Sequence, residues 1–139
     1  MYGTPSDPLK MAQNRALQRV WIECLNNGDR SCTTENPVIQ NFTWALLKAP
    51  EHTWGTPGIS GWGGGNDYDH SKFRKALQTE PYMKAAASWA EQRFFNELAV
   101  RTLEESGHKL ASKARAEMDL LVNVDAPSFD GYVEVSILF

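Results

Sequence analysis

Apolar residues recur at three- and four-residue steps over most of this chain, the spacing of amphipathic helices. Between Leu9 and Leu25, one face collects Met11, Ala12, Ala16, Leu17, Val20, Trp21 and Cys24 or Leu25. Ser6-Asp7-Pro8 gives that helix a capping side chain and a first-turn proline, and Asn26-Asn27-Gly28 stops it. Asn36-Pro37 opens a second helix by the same logic, with Val38, Phe42, Ala45 and Leu46 as its stripe. Pro50 ends it, because the residue before a proline is pushed out of helical geometry. Asp67 or Asp69 is placed to cap a third helix carrying Tyr68, Phe73, Ala76 and Leu77. The longest helix is predicted from about Pro81 to Ser106, through Met83, Ala86, Trp89, Ala90, Phe94, Leu98, Ala99, Val100 and Leu103, with Gly107 closing it. The run from His108 to Val124 is helical in its first two-thirds, and "GYVEVSILF" at the C-terminus alternates like a strand.

These elements predict a mainly α fold. Four to five helices pack as a bundle around Trp21, Trp44, Trp89 and Phe94, with the long helix against the one from Pro8 to Leu25. The helical region spans 6–122, and a short C-terminal β element falls within 123–139. The 139 residues suffice for one domain with a sizeable core, either standing alone or as a segment of a larger protein.

Composition narrows the partners. The chain is 42% hydrophobic and 22% charged with a net charge of −3, and no basic block appears, so nucleic acid is not an expected partner. No apolar run approaches the roughly 20 residues of a membrane span. The first ten residues have neither a basic nor an apolar leader segment, so no signal peptide is expected and the chain reads as soluble. They run straight into a helix cap, as the interior of a longer protein would. Cys24 and Cys32 flank "LNNGDRS"; two readings stay open, a disulfide closing a small loop or two free thiols. Asn41-Phe42-Thr43 fits a glycosylation sequon but falls inside a predicted helix.

The stretch "KAPEHTWGTPGISGWGGGNDYDHSKF" interrupts the helical pattern. It holds two of the three histidines, two of the five tryptophans and most of the ten glycines. A loop beyond about 12 to 15 residues is more often a binding or active-site loop than a neutral connector. Glycine lets backbone approach a ligand closely, and tryptophan stacks on sugar faces. Glu51, His52, Asp67, Asp69 and His70 carry the carboxylates and imidazoles that ligate zinc, at a spacing that fits no standard short zinc motif. For Asp67, Asp69 and His70 the simpler reading is the cap and first turn of the third helix. His52 stands apart, between a proline-glutamate pair and Trp54 at the mouth of the glycine run, where a side chain can be held at a cleft rim. Arg93, within "SWAEQRFF", reads as one half of a structural ion pair. His108, beside Gly107, carries a cation suited to a helix C-terminus and is assigned no chemistry.

Three pieces in order resemble the α-mannosidases of glycoside hydrolase family 38. "GTPSDPLKMAQNR" (Gly3–Arg15) looks like that family's G-x-x-x-S-R-P-x-x-K stretch, with Asp7 in place of the arginine and one residue fewer before Lys10. "EHTWGT" (Glu51–Thr56) resembles its H-H-D-A-x-T-G-T loop, whose second histidine is a zinc ligand. "NDYDHSKFRKAL" (Asn66–Leu77) resembles the N-D-Y that opens the next helix. The resemblance is nearest to a mannosidase-like branch, domain of unknown function family 5054, through "PEHTWG". It implies zinc as cofactor, His52 as a zinc ligand, and Glu51, Trp54, Trp62 and Asp67 at a carbohydrate substrate. Thr53 stands where the family has aspartate, the G-T pair comes two residues early, and no H-x-D occurs in the chain. The resemblance therefore implies a segment of a zinc-dependent hydrolase that supplies one wall of an active site, with the catalytic barrel upstream, and that is inactive as an isolated chain. The alternative is a free-standing helical module that binds a carbohydrate or a protein partner without catalysis.

Overall fold

The computed structural model describes residues 7–50 and 69–122. Five α-helices account for most of them: α1 (Pro8–Asn26), α2 (Pro37–Lys48), α3 (His70–Ala76), α4 (Glu80–Glu105) and α5 (Ala111–Val122), with a 3-10 turn at Arg30–Cys32 between the first two. The mainly helical prediction holds. The predicted C-terminal β element lies outside the described residues.

The helix ends follow from local chemistry. Asp7 caps α1 by accepting from the Lys10 N–H at 3.0 Å, and Asn36 caps α2 by accepting from the Val38 N–H at 3.0 Å. Asp69 is the cap of α3, accepting from Ser71 N at 2.7 Å. Proline occupies the first turn of α1, α2 and α4, where its missing N–H costs nothing. Gly28 and Gly107 end α1 and α4 at φ +74° and +66°. At each, the next residue's N–H reaches back to a carbonyl in the last turn, Asp29 to Cys24 and His108 to Leu103, and the glycine bonds one residue further on. Both are Schellman closures, which need the left-handed backbone that glycine adopts without penalty.

α1 and α2 form an antiparallel pair through the 3-10 turn. α4 lies mainly on α2, and α5 lies on α1 and against the second half of α4. The expected packing of α4 against α1 is present, with Arg93 on Asp7 and Asn96 on the Lys10 carbonyl, while α2 is the main partner of α4. The core is mostly aliphatic around the ring of Phe42, and is built from Leu17, Val20, Ile39, Phe42, Ala45, Leu46, Ala99, Val100, Leu103, Leu110, Ala114 and Met118. Removing each of its larger side chains from water contributes roughly 1.5–3 kcal/mol.

The aromatic centre expected from sequence is not the core. Trp44 is 53% exposed and Phe94 44%, Trp89 is half-buried, and Trp21 packs on the core's edge. Trp21 is held there by its indole N–H, which donates to the Cys32 carbonyl at 2.8 Å. An indole must keep its polar edge paired, so it sits better at a rim than in an aliphatic centre. α4 is also rotated relative to the expected stripe: Tyr82, Ala85, Asn96, Ala99, Val100 and Leu103 face inward, while Met83, Ala90 and Phe94 face out. Leu98 is half-buried against the core. Short α3 folds back on the start of α4, Phe73 stacking on Trp89 and meeting Tyr82 edge-on.

Candidate functional site

The bundle has two chemically different ends. Where the 3-10 turn and the α4–α5 connection lie, the interior is apolar and closed by a disulfide. At the other end, where α1 begins and α2 finishes, it is polar. All five buried polar residues among those described, Asp7, Lys10, Gln13, Asn14 and Asn96, sit in the first half of α1 or on the stretch of α4 facing it.

Their partners explain how they are tolerated. Asp7 accepts from Lys10 N with one oxygen and from the Arg93 guanidinium with the other, an ion pair joining α1 to α4. Asn96, fully buried, donates to the Lys10 carbonyl at 2.8 Å. Asn14 donates to the Leu46 carbonyl in the last turn of α2 at 3.0 Å and accepts from Gln18. Lys10 is 1% exposed, and burial is the main cause of the lowering of its pKa; Arg93 adds to the lowering and Asp7 opposes it. Among the described residues, the Oδ1 of Asn96 and the Oε1 of Gln92 are buried acceptors without a hydrogen-bond partner. A buried polar atom left so costs about 1–3 kcal/mol, and proteins keep such atoms sparingly.

Arg93 pairs as the sequence suggested. Asn14, Lys10 and Asn96 were not singled out, although a signal exists: Lys10, Gln13 and Asn14 continue the phase of Leu17, Val20 and Cys24, and Asn96 that of Ala99, Val100 and Leu103. A polar residue in phase with an apolar stripe has to be buried with its partners.

The residues proposed for substrate and metal, Glu51, His52, Trp54, Trp62 and Asp67, lie outside the described residues. So does the Gly-rich run. Their attachment points are described. Lys48 ends α2, Ala49 is fully buried beyond it, and Asp69 caps α3 at the return. α2 therefore finishes at the polar end, next to the Leu46 carbonyl that Asn14 holds. Asp69, offered as a ligand or a cap, is a cap. His108 serves structure: its Nε2–H donates to the Ser31 carbonyl at 3.1 Å, and its Nδ1 accepts from Leu110 N at 3.2 Å. Asn41 of the sequon is an exposed residue within α2.

Cys24 and Cys32 form a disulfide with Cα atoms 6.1 Å apart, which decides between the two readings of that pair. Asp29 lies beside it. Cys24, Asp29 and Cys32 are the only set of three metal-capable side chains that meet among the described residues. The polar end holds amides, one carboxylate and two cations, most of them buried and bonded to one another. The zinc that the resemblance implies finds no ligand set among the described residues of this end. No helix among the described residues is long and apolar enough to cross a membrane.

The fold and this end define a small helical domain with a buried polar cluster where α1 begins and α2 finishes. The chain belongs to a family of unknown function, DUF5054, whose model matches residues 4–136. No curated protein and no solved structure matches it.

Proposed function

We propose that this domain is a segment of a zinc-dependent, α-mannosidase-like glycoside hydrolase, and that its polar end lies beneath one wall of the sugar site, the wall carried by Glu51–Trp62. The observation that carries this reading is where the first stretch resembling the mannosidases sits. Asp7 and Lys10 are buried at the end of the bundle where α2 finishes at Lys48, three residues before the second stretch begins in sequence. Trp54 or Trp62 would stack on a sugar face.

In this reading His52 is one zinc ligand, and the remaining ligands and the nucleophilic carboxylate come from an upstream barrel. The chemistry zinc supplies in such a site is to bind and orient sugar hydroxyls.

The test begins with the DNA upstream of the Met1 codon. An open frame encoding a barrel with an H-x-D sequence supports the proposal, and a stop codon close upstream counts against it. The product of the open frame is then assayed on an aryl α-mannoside with and without zinc. Zinc-dependent hydrolysis lost in His52→Ala is the expected result. A product that binds mannosides unchanged in EDTA and never hydrolyses them would make the domain a carbohydrate-binding module instead.

A further inference from the structure

The opposite end of the bundle holds a different chemistry, independent of the hydrolase reading. Cys24 closes the last turns of α1, Cys32 ends the 3-10 turn, and Asp29 caps that turn between them. One donor atom from each, two sulfurs and a carboxylate oxygen, lie within 4.8 Å of one another. That proximity is fixed by the fold and not by the disulfide alone. Gly28 turns the chain at the end of α1, Asp29 N bonds back to Cys24 O, and Cys32 N bonds back to Asp29 O at 3.0 Å. The Trp21 indole and the Cys32 carbonyl pin the turn to α1, and His108 holds Ser31 to the α4–α5 connection. Asn36 donates to the same Ser31 carbonyl at 2.9 Å and ties it to the start of α2.

We propose that, with its disulfide reduced, this end is a metal site in which the Cys24 and Cys32 thiolates and the Asp29 carboxylate bind a soft divalent cation, zinc being the best fit. A dithiol reductant delivers two electrons and two protons to the Cys24–Cys32 bond, the S–S bond breaks, and two thiols form. The cation then displaces the two thiol protons. Two sulfurs and one oxygen are three of the four donors of a tetrahedral zinc site, and thiolate selects against magnesium and calcium.

The surroundings favour this state in two ways. Both cysteines are buried, so the metal–sulfur bonds form away from bulk water. A shallow cavity lined by Glu23, Asn27, Asp29, Lys109 and Lys113 opens beside Cys24 and gives water a route to the fourth coordination position. On metal entry Asp29 exchanges its ion pair with Lys109 for the dication and keeps its bonds from Ser31 N and Oγ, at 2.9 and 2.8 Å, through the other oxygen. Those two bonds orient the ligand from behind, as supporting residues of metal sites do. The disulfide and the metal exclude one another, so oxidation expels the cation.

The experiment uses the 139-residue chain, oxidised and reduced without air, titrated with zinc against a chromogenic chelator and with cobalt(II) as the spectroscopic probe. The expected result is one equivalent bound by the reduced chain with cobalt–thiolate charge-transfer absorption, and none bound by the oxidised chain. Asp29→Asn should weaken zinc binding by more than the roughly 10- to 100-fold lost when only a supporting residue changes. Affinity should rise with pH, since binding releases protons. Helical circular dichroism is followed throughout. If reduction loosens the chain, zinc should restore its helicity, because metal binding is then coupled to folding. Three results would each overturn the proposal: a reduced chain with both thiols counted that binds no zinc, binding that survives in a Cys24→Ser/Cys32→Ser double variant, or an unchanged affinity in Asp29→Asn.

Discussion

Asp7 does two jobs with its two carboxylate oxygens, and the jobs can be separated. One oxygen caps α1 and the other meets Arg93, while the group also faces the buried Lys10 ammonium. Asp7→Ala removes a cap worth about 1 kcal/mol and the Arg93 ion pair, and takes a carboxylate away from the buried Lys10 ammonium, so a loss of about 2–3 kcal/mol is expected in urea unfolding. Asp7→Asn keeps the cap, since Asn caps as well as Asp, and should lose only about half as much. Equal losses would mean that the pairing contributes nothing. Lys10 gives a second, pH-dependent handle. Its folded pKa lies below the ordinary 10.5, chiefly because burial disfavours the ammonium. Between those two values the unfolded chain holds more protons, so stability rises with pH there; below the folded value the full cost is present. Subtracting the Lys10→Met curve from the wild-type curve should leave a difference that climbs as pH approaches 10.5. A flat difference would show that Lys10 is solvated in solution.

At the scale of elements, α5 is fastened to α4 by one arginine. Arg115 grips Glu97 through two parallel bonds of 2.9 Å and Glu104 through bonds of 2.8 and 2.9 Å. These bonds hold both carboxyls below the ordinary carboxylate range and raise the Arg115 pKa further. A depressed carboxyl pKa stabilises fully above the unfolded value near 4.5, and that stabilisation is lost as pH falls through the folded value. The groups are partly exposed and screened, so Arg115→Ala should cost only about 1 kcal/mol at neutral pH. The gap to wild type should close as pH drops below 4.5; a gap that persists in acid would locate the effect in packing. Element boundaries were the most readable part of this sequence, because Asp7-Pro8, Asn36-Pro37, Asp69, Gly28 and Gly107 each fix a backbone state by local chemistry. Facing directions were readable only where one side of a helix is clearly apolar, as in α1 and α2. Along α4, Met83, Ala87, Ala90 and Phe94 offer as good a stripe as Tyr82, Ala85, Ala99 and Val100, and the inward one is broken by Gln92 and Asn96. A buried amide paired to a carbonyl looks, in sequence, like a surface residue. Trp21 is drawn to the rim by its paired N–H, a pull that the size of the residue does not reveal.

Over the whole molecule, the mainly helical architecture was readable from period and caps, and the division into a polar and a disulfide-closed end was not, since it depends on which distant residues meet. Asp7 and Arg93 lie 86 positions apart, as do Lys10 and Asn96. The same division bears on what the isolated chain can do. A retaining glycosidase needs two carboxyl groups about 5–5.5 Å apart across the scissile bond. Among the described residues, Asp7 is the only carboxylate buried at the polar end, and it is engaged by Lys10 N and Arg93. Asp69 is engaged in capping α3. A carboxylate committed to a cap or an ion pair is a poor nucleophile, and a single imidazole such as His52 does not make a zinc site of three protein ligands and an open position. The 139-residue chain should therefore hydrolyse no aryl α-mannoside, with or without added zinc. His52→Ala should shift its thermal unfolding midpoint by no more than surface changes do, within about 0.5 kcal/mol. Turnover that depends on zinc and vanishes in His52→Ala would mean that Glu51, Asp67 or His70 completes a site within this chain, and that the domain is an enzyme rather than a wall of one.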